Sequence, residues 1–97
     1  MGGQDSLDVA KSYNNIGLVY NTQGKYEEAL EYYQKSLDIK IRVVGGDHLD
    51  VAASYNNIGN VYNRQGQYER ALEYYQKGLE IKIKVSGQDH PDVAASY

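Results

Sequence analysis

The sequence predicts an all-α fold, a solenoid of helix–turn–helix units. Three observations carry that expectation. Residues 8–49 align without a gap with residues 50–91, a 42-residue period with 31 identical positions. Within each copy, apolar residues recur at helical spacing. The second helix of each copy carries two apolar stripes, so it must touch two neighbours, as stacked repeats require.

Residues 1–7, MGGQDSL, form a leader with neither an apolar core nor a basic start, which excludes a signal peptide. Repeat 1 spans 8–49. Its helix A is expected over 8–22, where Val9, Tyr13, Ile16 and Tyr20 make one stripe. The stretch SYNNIG lies inside this helix at 12–17 and recurs at 54–59. A helix-interior Gly costs about 1 kcal/mol against Ala. Gly17 falls at the edge of the apolar face, so a close approach of the neighbouring helix is the expected reason for it.

A turn at Gly24, or Gly66 in the second copy, ends helix A. Helix B is expected over 26–44, with Tyr26, Ala29, Leu30, Tyr33, Leu37, Ile41 and Val44 on one stripe and Tyr32, Ile39 and Val43 on another. The connectors GGDHLD and GQDHPD follow. In them Gly45 or Gly87 can end helix B, and Asp47 or Asp89 can accept from the free amides of the next helix. Pro91 suits a first helical turn. Repeat 2 spans 50–91, with helix A over 50–64 and helix B over 68–85. Residues 92–97, DVAASY, begin a third helix A.

Composition narrows the function. The 97 residues include 11 Tyr but no Phe or Trp, and Tyr suits half-buried positions in a thin structure. The net charge of −3, with acids and bases interleaved, disfavours nucleic acid. The absence of Cys excludes disulfides, thiol catalysis and zinc–thiolate sites. No apolar run approaches the roughly 20 residues of a membrane span. A soluble, cytoplasmic protein is expected.

The spaced residues Tyr13, Ile16, Gly17, Tyr20, Gly24, Tyr26, Ala29 and Tyr33, repeated as Tyr55, Ile58, Gly59, Tyr62, Gly66, Tyr68, Ala71 and Tyr75, resemble the tetratricopeptide repeat (TPR) signature. The usual unit of that family has 34 residues; this one is longer by about two helical turns, placed at the end of helix B in LDIKIRVV and LEIKIKV. The long unit, its GxDHPDVA connector and its Asn pair are similar to kinesin light chain repeats and related bacterial arrays. Two positions depart from the family pattern. Ser36 or Gly78 stands where a small Ala is usual, and Gly78 is expected to lower local stability. The family's Pro after helix B is absent.

The resemblance implies a right-handed superhelix whose A helices line a concave groove. The corresponding face carries Lys11, Asn14, Asn15, Leu18, Asn21 and Thr22 in the first unit, and Ala53, Asn56, Asn57, Asn60, Asn63 and Arg64 in the second. Asn presents a donor and an acceptor together, so it can read a peptide backbone without preferring a charge. Two plainer roles are a solvated face and, for Asn15 and Asn57, a tie between adjacent helices.

Other candidates read best as structure. His48 and His90 lie in connectors, too far apart to share an ion and without a second nitrogen or sulfur ligand. Tyr32–Tyr33 and Tyr74–Tyr75 have packing spacing rather than the basic setting of a base-stacking platform. Glu27, Glu28 and Glu31 form a solvated face, with a weak Glu31–Lys35 pair. Lys40 and Arg42, like Lys82 and Lys84, suit a helix C-terminal end. No nucleophile–base set and no phosphate loop is present. Neither an enzyme nor a cofactor is expected.

Two units leave open ends. Helix B of the second unit is expected to expose Ile81, Ile83 and Val85, complementary to the open face of the first helix A, so head-to-tail association with copies of the chain is expected. The near-identical units suggest a piece of a recently duplicated array or a consensus design. The expected function is a non-catalytic protein–protein interaction scaffold with an Asn-lined groove for a peptide or protein partner. The alternatives are a structural array that stacks without a specific ligand, and a regulatory segment of a larger enzyme.

Overall fold

The computed structural model describes residues 6–86. The expectations placed on Gly87, Asp89, His90, Pro91 and the third-copy start at 92–97 lie outside the described residues. Four helices follow one another: α1 (Leu7–Thr22), α2 (Tyr26–Val44), α3 (Leu49–Arg64) and α4 (Tyr68–Ser86). They pack α1 on α2, α2 on α3 and α3 on α4. The result is a slab 15 Å thick, thin enough that Tyr rings reach solvent from the core.

Local chemistry sets the helix ends. Ser6 caps α1, its hydroxyl accepting from the Val9 amide at 3.2 Å, with Asp8 in the first turn where the helix dipole favours an anion. At the other end Gly24 takes φ +80, which only Gly adopts without strain. Its amide donates to the Asn21 carbonyl and the Lys25 amide to the Tyr20 carbonyl, the paired bonds of a Schellman turn. Gly66 repeats this turn, with Gln67 donating to Tyr62.

The connector differs from expectation. Helix α3 begins at Leu49, so residue 48 occupies the cap and Asp47 falls one position too early. His48 is the cap, its Nδ1 accepting from the Asp50 amide at 3.0 Å. Asp47 instead faces Lys84 at 3.7 Å, an exposed pair of little energetic weight.

Within each unit the helices meet at the SYNNIG glycine. A Cβ on Gly17 would lie 2.8 Å from the Tyr33 ring and 3.2 Å from the Ala29 carbonyl oxygen. Gly59 meets Tyr75 and Ala71 at the same distances. The two Asn and the Gly therefore serve different ends: the Gly admits a ring, and the Asn face away from it. Beside this contact Tyr32 lies between Tyr13 and Tyr20, with ring centroids 5.9 and 5.7 Å away, and the Lys35 ammonium sits 4.9 Å from its centroid. Tyr74, with Tyr55, Tyr62 and Lys77, repeats the cluster.

Gly78 also marks a close contact. A Cβ there would lie 2.8 Å from Asn56 Oδ1 and 3.1 Å from the Ala52 carbonyl oxygen. Ser36 carries a Cβ at the equivalent place in the first unit, where it is buried and its hydroxyl finds no hydrogen-bond partner.

Between the units α2 and α3 share one core, formed by Ala29, Tyr33, Leu37, Val51, Ala52, Ile58, Val61 and Ile81. Several apolar residues depart from their expected places, among them Ile41 and Val43, expected on the packing stripes of α2 but 38% and 43% exposed. Ile81, expected at an open end, is 7% exposed and belongs to this core. It projects from the inner stripe of α4, whereas Val85 is exposed and Ile83 is half-buried. Ile16, expected to pack, is 39% exposed while its equivalent Ile58 is 2% exposed. Tyr68, also expected to pack, is 64% exposed, whereas Tyr26 packs on the core. In each pair the residues are identical. Ile58 has α2 in front of it and Tyr26 has α3 behind it; among the described residues no helix covers Ile16 or Tyr68.

Candidate functional site

The candidate site is the face of α1 and α3 that points away from their partner helices. Asn57 Nδ2 donates to Asn14 Oδ1 at 2.9 Å, joining the first helices of the two units directly. An amide–amide bond here fixes the spacing of the two helices without placing a charge between them. Lys11, Asn15 and Leu18 on α1 are exposed, as are Asn60, Asn63 and Arg64 on α3. Thr22 and Ala53 of the same face are exposed as well.

Four of the predicted groove residues, Asn14, Asn21, Asn56 and Asn57, are engaged in the fold. Asn14 and Asn57 bond to each other. Asn56 is half-buried, its oxygen against Gly78. Asn21 is buried and its Oδ1 accepts no hydrogen bond, so it does not line the presented face. Its equivalent Asn63 is exposed; α1 has α3 beside it, and no described helix stands in that place beside α3. Asn60 is exposed but accepts a short hydrogen bond from the Tyr75 hydroxyl, which holds the side chain in one orientation. The Arg64 guanidinium lies 5.9 Å from the centre of the Tyr26 ring, a cation–π contact that keeps the end of α3 on the start of α2.

Sequence reasoning missed Lys40. Placed with the solvated helix end, it is instead buried between the units. Its ammonium donates to the Ser54 hydroxyl at 2.9 Å and to the Asp50 carbonyl at 3.3 Å. Burial pushes its pKa down, the Asp50 carboxylate opposes that shift, and Lys11 adds to it. A signal was present: Lys recurs at 40 and 82, and Ser at 12, 54 and 96, although the residue before Ser is Lys at 11 and Ala at 53 and 95. Burial likewise raises the pKa of the Tyr33 phenol.

Among the described residues no group of three or more His, Asp or Glu side chains is placed to hold a metal ion. No described helix is long and apolar enough to cross a membrane.

No curated protein matches the chain. Among solved structures, it is similar to BtubC (BKLC) from P. vanneervenii, with 25% identity and a TM-score of 0.73 over 93% of this chain. That structure is a kinesin light chain-like repeat protein, and the present chain spans 36% of its length. The family model for the tetratricopeptide repeat matches residues 8–84 and again 55–97. With the repeated glycine–tyrosine contacts, the Schellman turns and the stacked helix hairpins already in place, the match identifies the chain as a member of the tetratricopeptide repeat family.

Proposed function

We propose that the chain is a non-catalytic interaction scaffold whose α1–α3 face receives an extended peptide or a protein segment. Tetratricopeptide repeats generally mediate protein–protein interaction, which supports the class of function. The observation that carries the reading is the pairing of exposed Asn15, Asn60 and Asn63 with a fixed helix spacing set by the Asn57–Asn14 bond. The Asn60 amide, held by the Tyr75 hydroxyl, loses little entropy on binding. The exposed amides can bond to peptide N–H and C=O groups in either direction. Lys11 and Arg64 flank them and favour a segment carrying a carboxylate, and Leu18 offers an apolar contact. The reading needs no cofactor.

Selection of peptides from a random display library against the 97-residue chain tests the reading. Peptides so obtained should lose about five- to 150-fold in affinity to Asn15→Ala combined with Asn63→Ala, with helicity unchanged, since each lost interface hydrogen bond is worth about 0.5–1.5 kcal/mol. No selectable peptide, or peptides indifferent to both substitutions, would contradict it.

A further inference from the structure

The joint between the two units has a lock-and-key character that the ends of the chain reproduce. At the joint, α3 offers Ser54, Ile58 and Val61, all buried, to α2, which offers Tyr26, Leu30 and Lys40. The Lys40 ammonium closes the contact on the Ser54 hydroxyl. At one end of the chain α1 carries the same three residue positions as Ser12, Ile16 and Val19, and all three are exposed, Val19 by 55% where Val61 is 0%. At the other end α4 carries Tyr68, Leu72 and Lys82, again all exposed, Leu72 by 58%. Each end is thus one half of an interface whose assembled form is visible inside the same molecule.

We propose that the chain associates head to tail with further copies of itself, the α4 face of one copy receiving the α1 face of the next in the register that α2 and α3 adopt. Lys82 then donates to Ser12 of the next copy and to the Asp8 carbonyl, as Lys40 does to Ser54 and Asp50. Leu72 and Tyr68 cover Ile16 and Val19. Because the two faces differ, the contact is heterologous, and each added copy leaves one face of each kind free. Growth therefore continues beyond the dimer. The inference is independent of the peptide-binding face, which lies elsewhere on α1 and α3.

A second copy is not the sole conceivable occupant of the α4 face. Residues 92–97 repeat the sequence of residues 50–55, so the chain's own end carries part of the matching surface. Two variants separate these occupants. Val19→Arg blocks the α1 face and Leu72→Arg blocks the α4 face; both residues are exposed, and circular dichroism checks that helicity is kept. Sedimentation equilibrium of the 97-residue chain over a hundredfold range of concentration should show the average mass climbing past twice 10.9 kDa. Each variant alone should stay at 10.9 kDa. An equimolar mixture of the two should form a dimer and nothing larger, since one native joint remains between unlike copies. Lys82→Glu should weaken association of the otherwise native chain at least about tenfold, because it leaves a buried carboxylate facing a hydroxyl and a carbonyl. A native chain that stays monomeric throughout overturns the proposal. Association of either variant by itself, or a mixture that fails to dimerise, overturns it as well.

Discussion

The Lys40 ammonium donates to the Ser54 hydroxyl at 2.9 Å, across the joint between the two repeats. Both residues are buried, so a charge-assisted hydrogen bond replaces the water that each would otherwise hold. Removing the hydroxyl leaves the ammonium with the Asp50 carbonyl alone. Ser54→Ala should cost about 1.5–3 kcal/mol, the range for hydrogen bonds to charged groups. The equivalent Ser12 is exposed, and Ser12→Ala should stay within about 0.5 kcal/mol. Urea denaturation of dilute samples measures both; equal costs would contradict the role of Lys40.

Gly17 and Gly59 make the same contact in different surroundings. A Cβ at either lies 2.8 Å from a Tyr ring. Tyr33 is buried on all sides, whereas Tyr75 is half-buried and can shift outward. Overpacking typically costs about 1–3 kcal/mol, against a helix-propensity gain of about 1 kcal/mol for Gly→Ala. Gly17→Ala should therefore destabilise, and Gly59→Ala should destabilise less. Thermal melts of the two variants give the order directly.

Ser36 is a site of stored cost. Its hydroxyl is buried without a partner, in a helix interior where Ala is the better residue. Ser36→Ala should stabilise by about 1 kcal/mol or more, since an unsatisfied buried group costs about 1–3 kcal/mol. A loss of stability in the same urea assay would show that the hydroxyl has a partner.

The alkaline limb of stability has two opposing contributors. The Tyr33 pKa is raised by burial, so the unfolded chain releases that proton first. Its contribution is present below the ordinary phenol value of about 10 and is lost as pH rises through the folded value. The Lys40 pKa is lowered by burial, so the unfolded chain holds more protons just below the ordinary lysine value, and stability gains with pH there. Tyr33→Phe should flatten the fall above about pH 10. Lys40→Met should remove the rise below it. Denaturation midpoints at a series of pH values check both signs.

Much of the fold can be read from the residues because the signals are local. The 42-residue period sets the number of units, and the glycines at 24 and 66 mark turns that need positive φ. The small residue at 17 falls at the edge of the apolar face of helix A, and its reason is steric. The less legible features are those that depend on a neighbour. Ile16 and Ile58 sit in identical local sequence, yet one is exposed and the other buried. Tyr26 and Tyr68 differ in the same way. Ile81 shares α4 with Ile83 and Val85, and alternating apolar residues on one helix do not reveal which of them points inward. Lys40 reads as a surface residue until the hydroxyl and carbonyl of the next helix are in place. On the candidate face, the Asn residues are evident in the sequence, but their division into Asn14 and Asn57, which bond to each other, and Asn15, Asn60 and Asn63, which are exposed, follows from how α1 and α3 approach.

The most direct test of the scaffold reading is a nitrogen–proton correlation spectrum recorded while a selected peptide is titrated into the 97-residue chain. The side-chain amides of Asn15, Asn60 and Asn63 should shift most, with the backbone of α1 and α3 following and the outer face of α4 unmoved. Shifts centred on Leu72 and Lys82, with those three amides unchanged, would contradict it.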